Sequence, residues 1–375
     1  AMGNSTEAIE LHKDCLALAT KHGDQVAQMR CFANLGNTHG SAGRFRDGRR
    51  ADIVFCWCLN RLSLGPVRAA QAIGIPVCQT INDFHPRQFR AGGRGRPSSA
   101  RQLLRRGLEQ TLVRGTTLAT DPFPVALISD ALERGLAEEG VTFEDGRVVP
   151  QGVPLRNFPF RPRSRKPGDP FHLVYVGQLS RAKGVHTLIR AVALLQRRRN
   201  EPVRLRLIGD GVSSYRRELE RLCRDSPTTD VEFLGQVDHG EVARRHRQSH
   251  VLVFPSEWPE PFGLSHLEAM ASGCAVVSTL TGGSAELIEH GVNALAFPAG
   301  DHGHLADQLE ALADDEDLRI RLVQHARRRV VEHYSLEAYA ARLLDFLADV
   351  RARAHRSTSA HHPEPFPNSS IGTTS

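Results

Sequence analysis

One loop of the sequence combines an anion-binding turn with two carboxylates. Within residues 255–268, Pro261 and Gly263 shape a turn that opens a helix. The backbone N–H groups of Phe262, Gly263 and Leu264 have no partner in a preceding turn and lie at the positive end of the helix dipole. We expect these amides to hold an anion such as a phosphate group.

Two carboxylates, Glu260 and Glu268, lie on either side of this turn. If most of their separation is helical, a rise of roughly 1.5 Å per residue places them about 12 Å apart. A retaining glycosidase pair needs about 5 Å and an inverting pair about 6.5–9.5 Å, so hydrolysis by this pair is disfavoured. Recognition of hydroxyl groups suits them better, although the dipole alone also favours acidic residues near a helix start.

A second loop, residues 177–184, joins a predicted strand to a predicted helix. Gly177 and Gln178 open it, and its cations Arg181 and Lys183 could reach a diphosphate. Basic residues also begin many surface helices, so this loop alone is not specific.

A third loop, residues 281–286, again follows a strand and opens a helix. Gly282 and Gly283 allow close backbone approach, and Glu286 follows them. In a parallel sheet the carboxyl ends of the strands form one edge, where ligands bind. The sequence therefore predicts that the three loops belong to one site.

The second half of the chain alternates regularly between strands and helices. Strands are expected at 171–176, 203–208, 231–234, 251–254, 275–278 and 294–297. Helices are expected near 184–198, 213–225, 239–248, 263–272, 283–290 and 301–332. This pattern predicts a doubly wound, Rossmann-like sheet over residues 171–334.

The first half predicts a smaller α/β domain over residues 51–160. Its four expected strands are 53–58, 75–81, 125–129 and 147–150. A linker rich in proline and cations follows at 161–170, an amphipathic helix is expected at 335–352, and a disordered tail at 353–375. The fold class is α/β with two Rossmann-like domains, of which the N-terminal one is incomplete.

The N-terminal residues 1–48 predict a short all-α helix pair. The spacing of Phe32, Leu35, Gly36 and His39 is similar to that of a tetratricopeptide helix, with Phe and His in place of the usual Trp and Tyr. Two helices cannot form a solenoid, so we expect this pair to pack on something else.

The three loops in order resemble a known family. Gly177 with Lys183 and Gly184, then the E-x7-E motif from Glu260 to Glu268, then Gly282-Gly283 with Glu286, are similar to the motifs of retaining glycosyltransferases of the GT-B fold, glycosyltransferase family 4. The resemblance runs from about Ala51 to Val350 and is strongest over residues 171–350.

The resemblance implies a role for each site residue. Lys183, with Arg181 or Gln178, would hold the diphosphate of a nucleotide-sugar donor, and Gly177 and Gly283 would also be donor-binding residues. The amides of Phe262, Gly263 and Leu264 would bind the distal phosphate and the sugar. Glu260 would contact sugar hydroxyls, Glu268 would accept from the ribose diol, and Glu260, Lys183 and Asn82 would be the catalytic residues.

The sequence departs from the family at three points. Gln178 replaces an arginine, and Asn82 stands where relatives commonly have a histidine; His85 is an alternative for that histidine. Before Ala51 we find no glycine-rich loop and no further β-α units of the kind that line the acceptor cleft. We therefore expect transfer of the sugar with retention, but with impaired or absent turnover. A non-catalytic scaffold that binds nucleotide sugar through the second domain and a partner through the helix pair is the alternative.

The expected partners follow from the family and from charge. The donor is a UDP-, GDP- or ADP-sugar, no metal is expected, and the acceptor is a hydroxyl, either lipid-linked or on a polysaccharide. Eight arginines between Arg87 and Arg114 face one acid, Glu109, in a chain of net charge +6. This stretch predicts docking on an anionic membrane surface, or simply a solvated face. Nucleic acid is disfavoured because aromatic residues make up only 6% of the chain.

Composition limits the class of protein further. The 375 residues, 40% of them apolar and 24% charged, suit a soluble globular protein of two to three domains. No uninterrupted apolar stretch approaches the length of a transmembrane helix, and no secretory signal is legible. The seven cysteines are odd in number and never spaced as C-x2-C, which predicts a reducing, cytoplasmic location.

Overall fold

The protein contains two parallel β-sheets with helices packed against them. The computed structural model describes residues 31–33, 53–57, 65–72, 74–84, 86, 123–166, 168–226 and 230–359. In the described part of the chain, the first sheet has five strands and the second has six. The predicted α/β class with two Rossmann-like domains is confirmed.

The C-terminal sheet has the strand order of a Rossmann fold. Its strands are β6 (Phe171–Val176), β7 (Val203–Ile208), β8 (Asp230–Gly235), β9 (Val251–Phe254), β10 (Ala275–Ser278) and β11 (Leu295–Ala296). Their order is β8-β7-β6-β9-β10-β11, and all pairs are parallel. The order reverses between β6 and β9, so this sheet has its topological switch point, the usual ligand position, between those two strands.

Helices cover both faces of this sheet. They are α3 (Val185–Arg198), α4 (Ser213–Arg224), α5 (His239–Gln248), α6 (Leu264–Ser272), α7 (Ser284–Leu287), α8 (His302–Asp314) and α9 (Glu316–His333). One face packs on α3, α4 and α8, and the other on α5 and α6. The central strands β6, β9 and β10 are short, nearly continuous apolar runs because both faces of the sheet are buried there, whereas β7 alternates arginine with buried apolar residues.

The N-terminal sheet is parallel in chain order. Its strands are β1 (Cys31–Ala33), β2 (Ile53–Cys56), β3 (Val77–Ile81), β4 (Val125–Leu127) and β5 (Gly146–Val148). Two described helices belong to it, α1 (Gly65–Ala72) and α2 (Asp130–Glu138).

The last helix returns the chain to the N-terminal sheet. Helix α10 (Leu336–Ser359) packs Tyr339, Leu343 and Phe346 on Ile53 and Phe55 of β2. The two segments of the chain that connect the domains are hydrogen-bonded to each other. Val153 N donates to Tyr334 O, and the Val153 carbonyl accepts from Leu336 N. The two domains therefore share a packed boundary.

Four expectations about the elements need correction. The helix predicted through Phe32 is wrong, because Cys31–Ala33 form β1, which pairs in parallel with β2 and covers its edge. A three-residue apolar run carries no periodicity that separates strand from helix. The N-terminal sheet accordingly has five described strands rather than four.

The other three corrections concern helix ends. The helix predicted over 301–332 is two helices, because Asp315 leaves the helical conformation and caps α9 by accepting from Leu318 N. Residues 353–359 of the predicted tail are helical, since α10 continues to Ser359. The helix predicted over 283–290 is only the four residues of α7. The rest of the predicted pair in 1–48, the arginine-rich residues 87–114, His85 and residues 360–375 lie outside the described residues.

Candidate functional site

The centre of the site is an ion pair between two of the predicted residues. Lys183 Nζ lies 2.6 Å and 2.7 Å from the two carboxylate oxygens of Glu260. Glu260 is only 6% exposed, and Ser256 donates its hydroxyl to the same carboxylate. The loops after β6 and β9 thus meet at the switch point of the sheet, as the three-loop prediction required.

Glycine allows the first two loops to touch. Gly184 has φ +64°, and a Cβ there would lie 1.9 Å from Pro255 O. Glu257 N donates to Ala182 O at 2.8 Å, and Thr187 donates its hydroxyl to the Glu257 carboxylate at 2.9 Å. Any side chain at position 184 would push the two loops apart and separate Lys183 from Glu260.

The third loop packs on the second in the same way. Gly283 N donates to Glu260 O at 2.7 Å. Gly282 has φ +59°, and a Cβ there would lie 2.3 Å from Glu260 O; one at Gly283 would lie 2.5 Å from Pro261 O. The glycine pair therefore fixes the backbone on both sides of the peptide that leads into Phe262.

The start of α6 has the features of an anion-binding helix terminus. Gly263 is its N-cap residue with φ +141°, and no side chain caps the first turn. Phe262 is only 3% exposed and belongs to a core cluster, which anchors the residue that precedes Gly263. His266, one turn inside, is fully buried, and burial lowers its pKa to about 4, so it is neutral at pH 7. Its Nε2 lies 2.8 Å from Ser278 Oγ, which anchors the helix start.

Glu268 is held between two histidines of α5. It is 8% exposed, with its carboxylate 3.8 Å from His246 Nε2 and 3.9 Å from His239 Nε2. His246 is completely buried, and neither of its ring nitrogens has a hydrogen-bond partner among the described residues. The second carboxylate of the E-x7-E motif is therefore surrounded by histidines, whereas the first contacts Lys183 and Ser256.

The remaining residues of the first loop take different positions. Arg181 pairs with Glu218 of α4 at 2.5 Å and lies over the Tyr215 ring. The Gln178 side chain is exposed. The backbone carbonyl of Gln178 accepts from the hydroxyl of Tyr175 at 2.8 Å. Burial raises the pKa of Tyr175, with Glu260 adding to the shift. The structure thus places Lys183, and not Arg181 or Gln178, on Glu260.

Asn82 lies in the N-terminal domain, directly after β3. Its Oδ1 accepts from Gln151 Nε2 at 3.1 Å, and its Nδ2 donates to Trp57 O at 3.4 Å. A histidine in this position could exchange a proton, whereas this amide can only hydrogen-bond.

Several residues of the site have no role that the sequence motifs predict. Ser256 and Glu257 lie in the loop of residues 255–268. The contact of Ser256 with Glu260 is predictable from their closeness in sequence, whereas the contact of Glu257 with Thr187 requires the two loops to meet. Ser129 gave no such signal, yet its hydroxyl donates to Pro261 O from the other domain. Glu286 was noted only as part of a motif, and its carboxylate accepts from the amides at the start of α2.

Metal-binding clusters and membrane spans are absent from the described residues. Within them, no group of three or more His, Cys, Asp or Glu side chains could hold a metal ion. No helix in the same part of the chain is both long and apolar enough to span a bilayer.

The C-terminal half of the chain is similar to known proteins. Residues 157–329 match the family model described as glycosyl transferases group 1. The chain is 35% identical over 199 residues to a D-inositol 3-phosphate glycosyltransferase of Pseudarthrobacter chlorophenolicus, a match covering 51% of this chain and 47% of that protein. It is 30% identical over 193 residues to a glycogen synthase of Mycobacterium tuberculosis, covering 52% and 46%. The chain spans about half the length of the curated relatives it matches.

Solved structures share the two-domain fold. Anabaena HepE, solved in complex with UDP and glucose, is 21% identical with a TM-score of 0.62, over 80% of this chain and 78% of that one. A glycosyltransferase from Rickettsia africae is 15% identical with a TM-score of 0.64, over 90% and 94%. The expected GT-B architecture is confirmed by these neighbours, and the group 1 match covers the domain that carries the Lys183–Glu260 pair.

Proposed function

We propose that this protein transfers a sugar from a nucleotide-diphosphate sugar to a hydroxyl acceptor. The observation that carries the proposal is the Lys183–Glu260 pair at the start of α6 and at the switch point of the sheet. A cation and a free helix N-terminus are the groups that a diphosphate needs. The matched family and the UDP-bound neighbour make a nucleotide sugar the natural ligand of that combination.

The proposed mechanism stabilises the departing nucleotide diphosphate. Breaking the bond at the anomeric carbon leaves charge on the diphosphate, which Lys183 and the amides of Phe262, Gly263 and Leu264 would neutralise. Glu260 would contact sugar hydroxyls, and Glu268 would accept hydrogen bonds from the ribose diol. Asn82, in the N-terminal domain, would hydrogen-bond a sugar hydroxyl and would not move a proton.

We propose retention of the anomeric configuration. The two carboxylates of the site do not form an acid–base pair, since Glu260 is committed to Lys183 and Ser256 while Glu268 faces the histidines of α5. The leaving phosphate would instead assist deprotonation of the acceptor hydroxyl, which would attack the sugar from the same face as the departing phosphate. Proton NMR of the product, which reads the configuration at the new linkage directly, tests this point.

Acceptor and location belong to the same proposal. Relatives named for inositol phosphate and for glycogen fit a hydroxyl acceptor of varied size. The arginines from Arg87 to Arg114 would bring the protein to anionic lipid, where a lipid-linked acceptor resides. Sedimentation with vesicles of phosphatidylglycerol and of phosphatidylcholine tests this: binding to the first alone supports docking, and equal sedimentation with both contradicts it.

We propose that donor binding needs no metal, because an ammonium and helix amides supply the positive charge. A nucleotide diphosphate should then raise the unfolding temperature equally with and without EDTA. A shift that EDTA abolishes and Mg²⁺ restores would contradict this part of the proposal.

The binding test is a thermal-shift panel of UDP, GDP and ADP. We expect one of them to stabilise the wild type, with the gain reduced in Lys183→Ala and in Glu268→Ala. Lys166→Ala is the matched control, since Lys166 is an exposed lysine of the linker. If a nucleotide stabilises the wild type and neither site variant reduces the gain, the site assignment is wrong.

The activity test uses an isotope-labelled sugar nucleotide of the base found in that panel. Transfer of label to a hydroxyl acceptor, lost in Lys183→Ala, supports the enzyme. Tight binding with no transfer to inositol phosphate, glucan or lipid acceptors would favour a protein that binds the donor without turning it over.

A further inference from the structure

Ser129 of the N-terminal domain hydrogen-bonds the loop that precedes α6, residues 255–263, which is called the donor loop below. Ser129 is completely buried, and its hydroxyl has two partners. It accepts from Leu132 N at 2.9 Å, which caps α2, and it donates to Pro261 O in the loop that precedes α6. One hydroxyl therefore joins the start of a helix in one domain to the donor loop of the other.

A carboxylate from the C-terminal domain completes this contact. Glu286 accepts from Ala131 N at 2.7 Å and from Asp130 N at 3.3 Å, two of the amides that a helix start leaves without partners. Its negative charge lies at the positive end of the α2 dipole. Glu286 belongs to the same loop whose Gly283 amide donates to Glu260 O.

Apolar packing surrounds these hydrogen bonds. Leu132 and Leu136 of α2 are fully buried in one cluster with Phe262 and Leu287 of the C-terminal domain. Beside them, the rings of Phe84 and Trp258 meet edge-on across the two domains at 6.4 Å. The start of α2 thus lies against a packed apolar surface, with Leu132 buried and Asp130 exposed at its edge.

The planarity of the peptide bond transmits this contact to the site. Pro261 C=O and Phe262 N–H belong to one peptide unit and point in opposite directions, because the trans peptide is planar. When Ser129 fixes the carbonyl, it also fixes the direction of the Phe262 amide. That amide is the first of the three assigned above to the distal phosphate and the sugar.

We infer that Ser129 and Glu286 are positioning residues, which hold the start of α2 on the donor loop and so orient the Phe262 amide for the donor. Neither residue needs to touch the donor. The role in donor binding rests on the proposed function, whereas the docking of α2 does not.

The variants separate charge, hydrogen bonding and position. Glu286→Ala removes both acceptors, and Glu286→Gln keeps one carbonyl for Ala131 N but loses the charge. Ser129→Ala removes the bond to Pro261 and the cap of α2 together. Glu289→Ala is the matched control, since Glu289 is an exposed glutamate three residues from Glu286.

Two measurements are made on the full chain. Calorimetric titration with UDP, GDP and ADP gives the affinity of the nucleotide that binds best. We expect Glu286→Ala and Ser129→Ala to weaken it about tenfold, with Glu286→Gln in between and Glu289→Ala unchanged. Glu286→Ala loses charge-assisted hydrogen bonds, whereas Ser129→Ala loses two neutral ones. Hydrogen exchange of the peptide at the start of α2 should become faster in the same order.

The two measurements distinguish the two failures. If the wild type binds none of the nucleotides, the proposed function fails, and faster exchange at α2 in the variants still supports the docking. Exchange and affinity that both stay at wild-type values in Glu286→Ala and Ser129→Ala overturn the inference. Faster exchange with unchanged affinity also overturns it, since the contact would then be structural only.

Discussion

A buried carboxylate is the residue on which the proposed site depends. Glu260 is 6% exposed and receives hydrogen bonds from both Lys183 and Ser256. Taking a charge out of water costs several kcal/mol unless a partner offsets it, so the pair must form together. The ammonium is thereby held at the loop junction before any ligand arrives, which is how a binding group is preorganised.

This dependence predicts a rescue of stability. Lys183→Ala leaves an uncompensated carboxylate and should lower the free energy of unfolding by about 2–3 kcal/mol, at the low end for a buried pair because Lys183 is partly exposed. Adding Glu260→Gln removes the charge and should restore more than half of that loss. Urea unfolding of both variants and of Lys166→Ala measures the effect. Additive losses in the double variant would contradict the pairing.

The site residues could be predicted where spacing along the chain carries the chemistry. Lys183, Glu260 and Gly283 follow strands at the carboxyl edge of one sheet, so the pattern of strands was sufficient to bring their loops together. Ser129 donates to Pro261 across 132 residues of sequence, and no local pattern contains that contact. No local pattern predicts the position of His246 beside Glu268 either, where its two ring nitrogens are buried without a hydrogen-bond partner in the described part of the chain.

The loops that carry these residues are rigid because glycine lets their backbones touch. Gly184 and Gly282 both have positive φ and both face a carbonyl oxygen at a distance that excludes a Cβ. The loops are therefore joined at the backbone, and the positions of Lys183 and Glu260 follow from that junction.

A pair of glycines tests this view of the loops. Gly291 has φ +76° and open space where a Cβ would stand, whereas Gly184 has φ +64° with Pro255 O in the way. Gly291→Ala should cost about 1–2 kcal/mol of unfolding free energy, for the backbone conformation alone. Gly184→Ala should cost about 2–5 kcal/mol, because overpacking adds to it, and should also weaken nucleotide binding. Equal losses in urea unfolding would show that the two loops do not need their close contact.

Strands and helices were predictable to the degree that each is a separate apolar segment. Phe171–Val176, Val203–Ile208, Val251–Phe254 and Ala275–Ser278 lie within bounds expected from sequence, since each is a buried run between polar loops. The break at Asp315 was missed because the apolar positions continue on both sides of it. Strand β1 was missed because three residues are too few to show a period.

At the scale of the molecule, the two domains are joined by hydrophobic packing and by crossings of the chain. One core cluster contains Leu127 and Leu132 from the first domain and Leu267 and Met270 from the second. Helix α10 extends from the second domain over the first sheet. The proposed donor site lies beside this boundary, so its geometry depends on both domains.

Buried histidines predict how the stability of the second domain responds to pH. Burial lowers the pKa to about 4 for His172 and His266 and to about 3 for His250, below the ordinary value of 6.5 in the unfolded chain. Between these values the unfolded state binds more protons, so the free energy of unfolding falls as pH decreases from about 6.5 to about 4. Urea unfolding at pH 7, 6 and 5 should show this fall. A His266→Gln variant should show a smaller slope, and an unchanged slope would contradict the neutral, buried state of His266.

The most direct test of the central claim is the affinity for a nucleoside diphosphate relative to the corresponding monophosphate. If Lys183 and the amides at the start of α6 bind the distal phosphate, the wild type should prefer the diphosphate by at least about tenfold in calorimetric titration. Lys183→Ala should lose most of that preference, while Lys166→Ala keeps it. A wild type that binds both nucleotides equally, or a Lys183→Ala variant with its preference intact, would contradict the account.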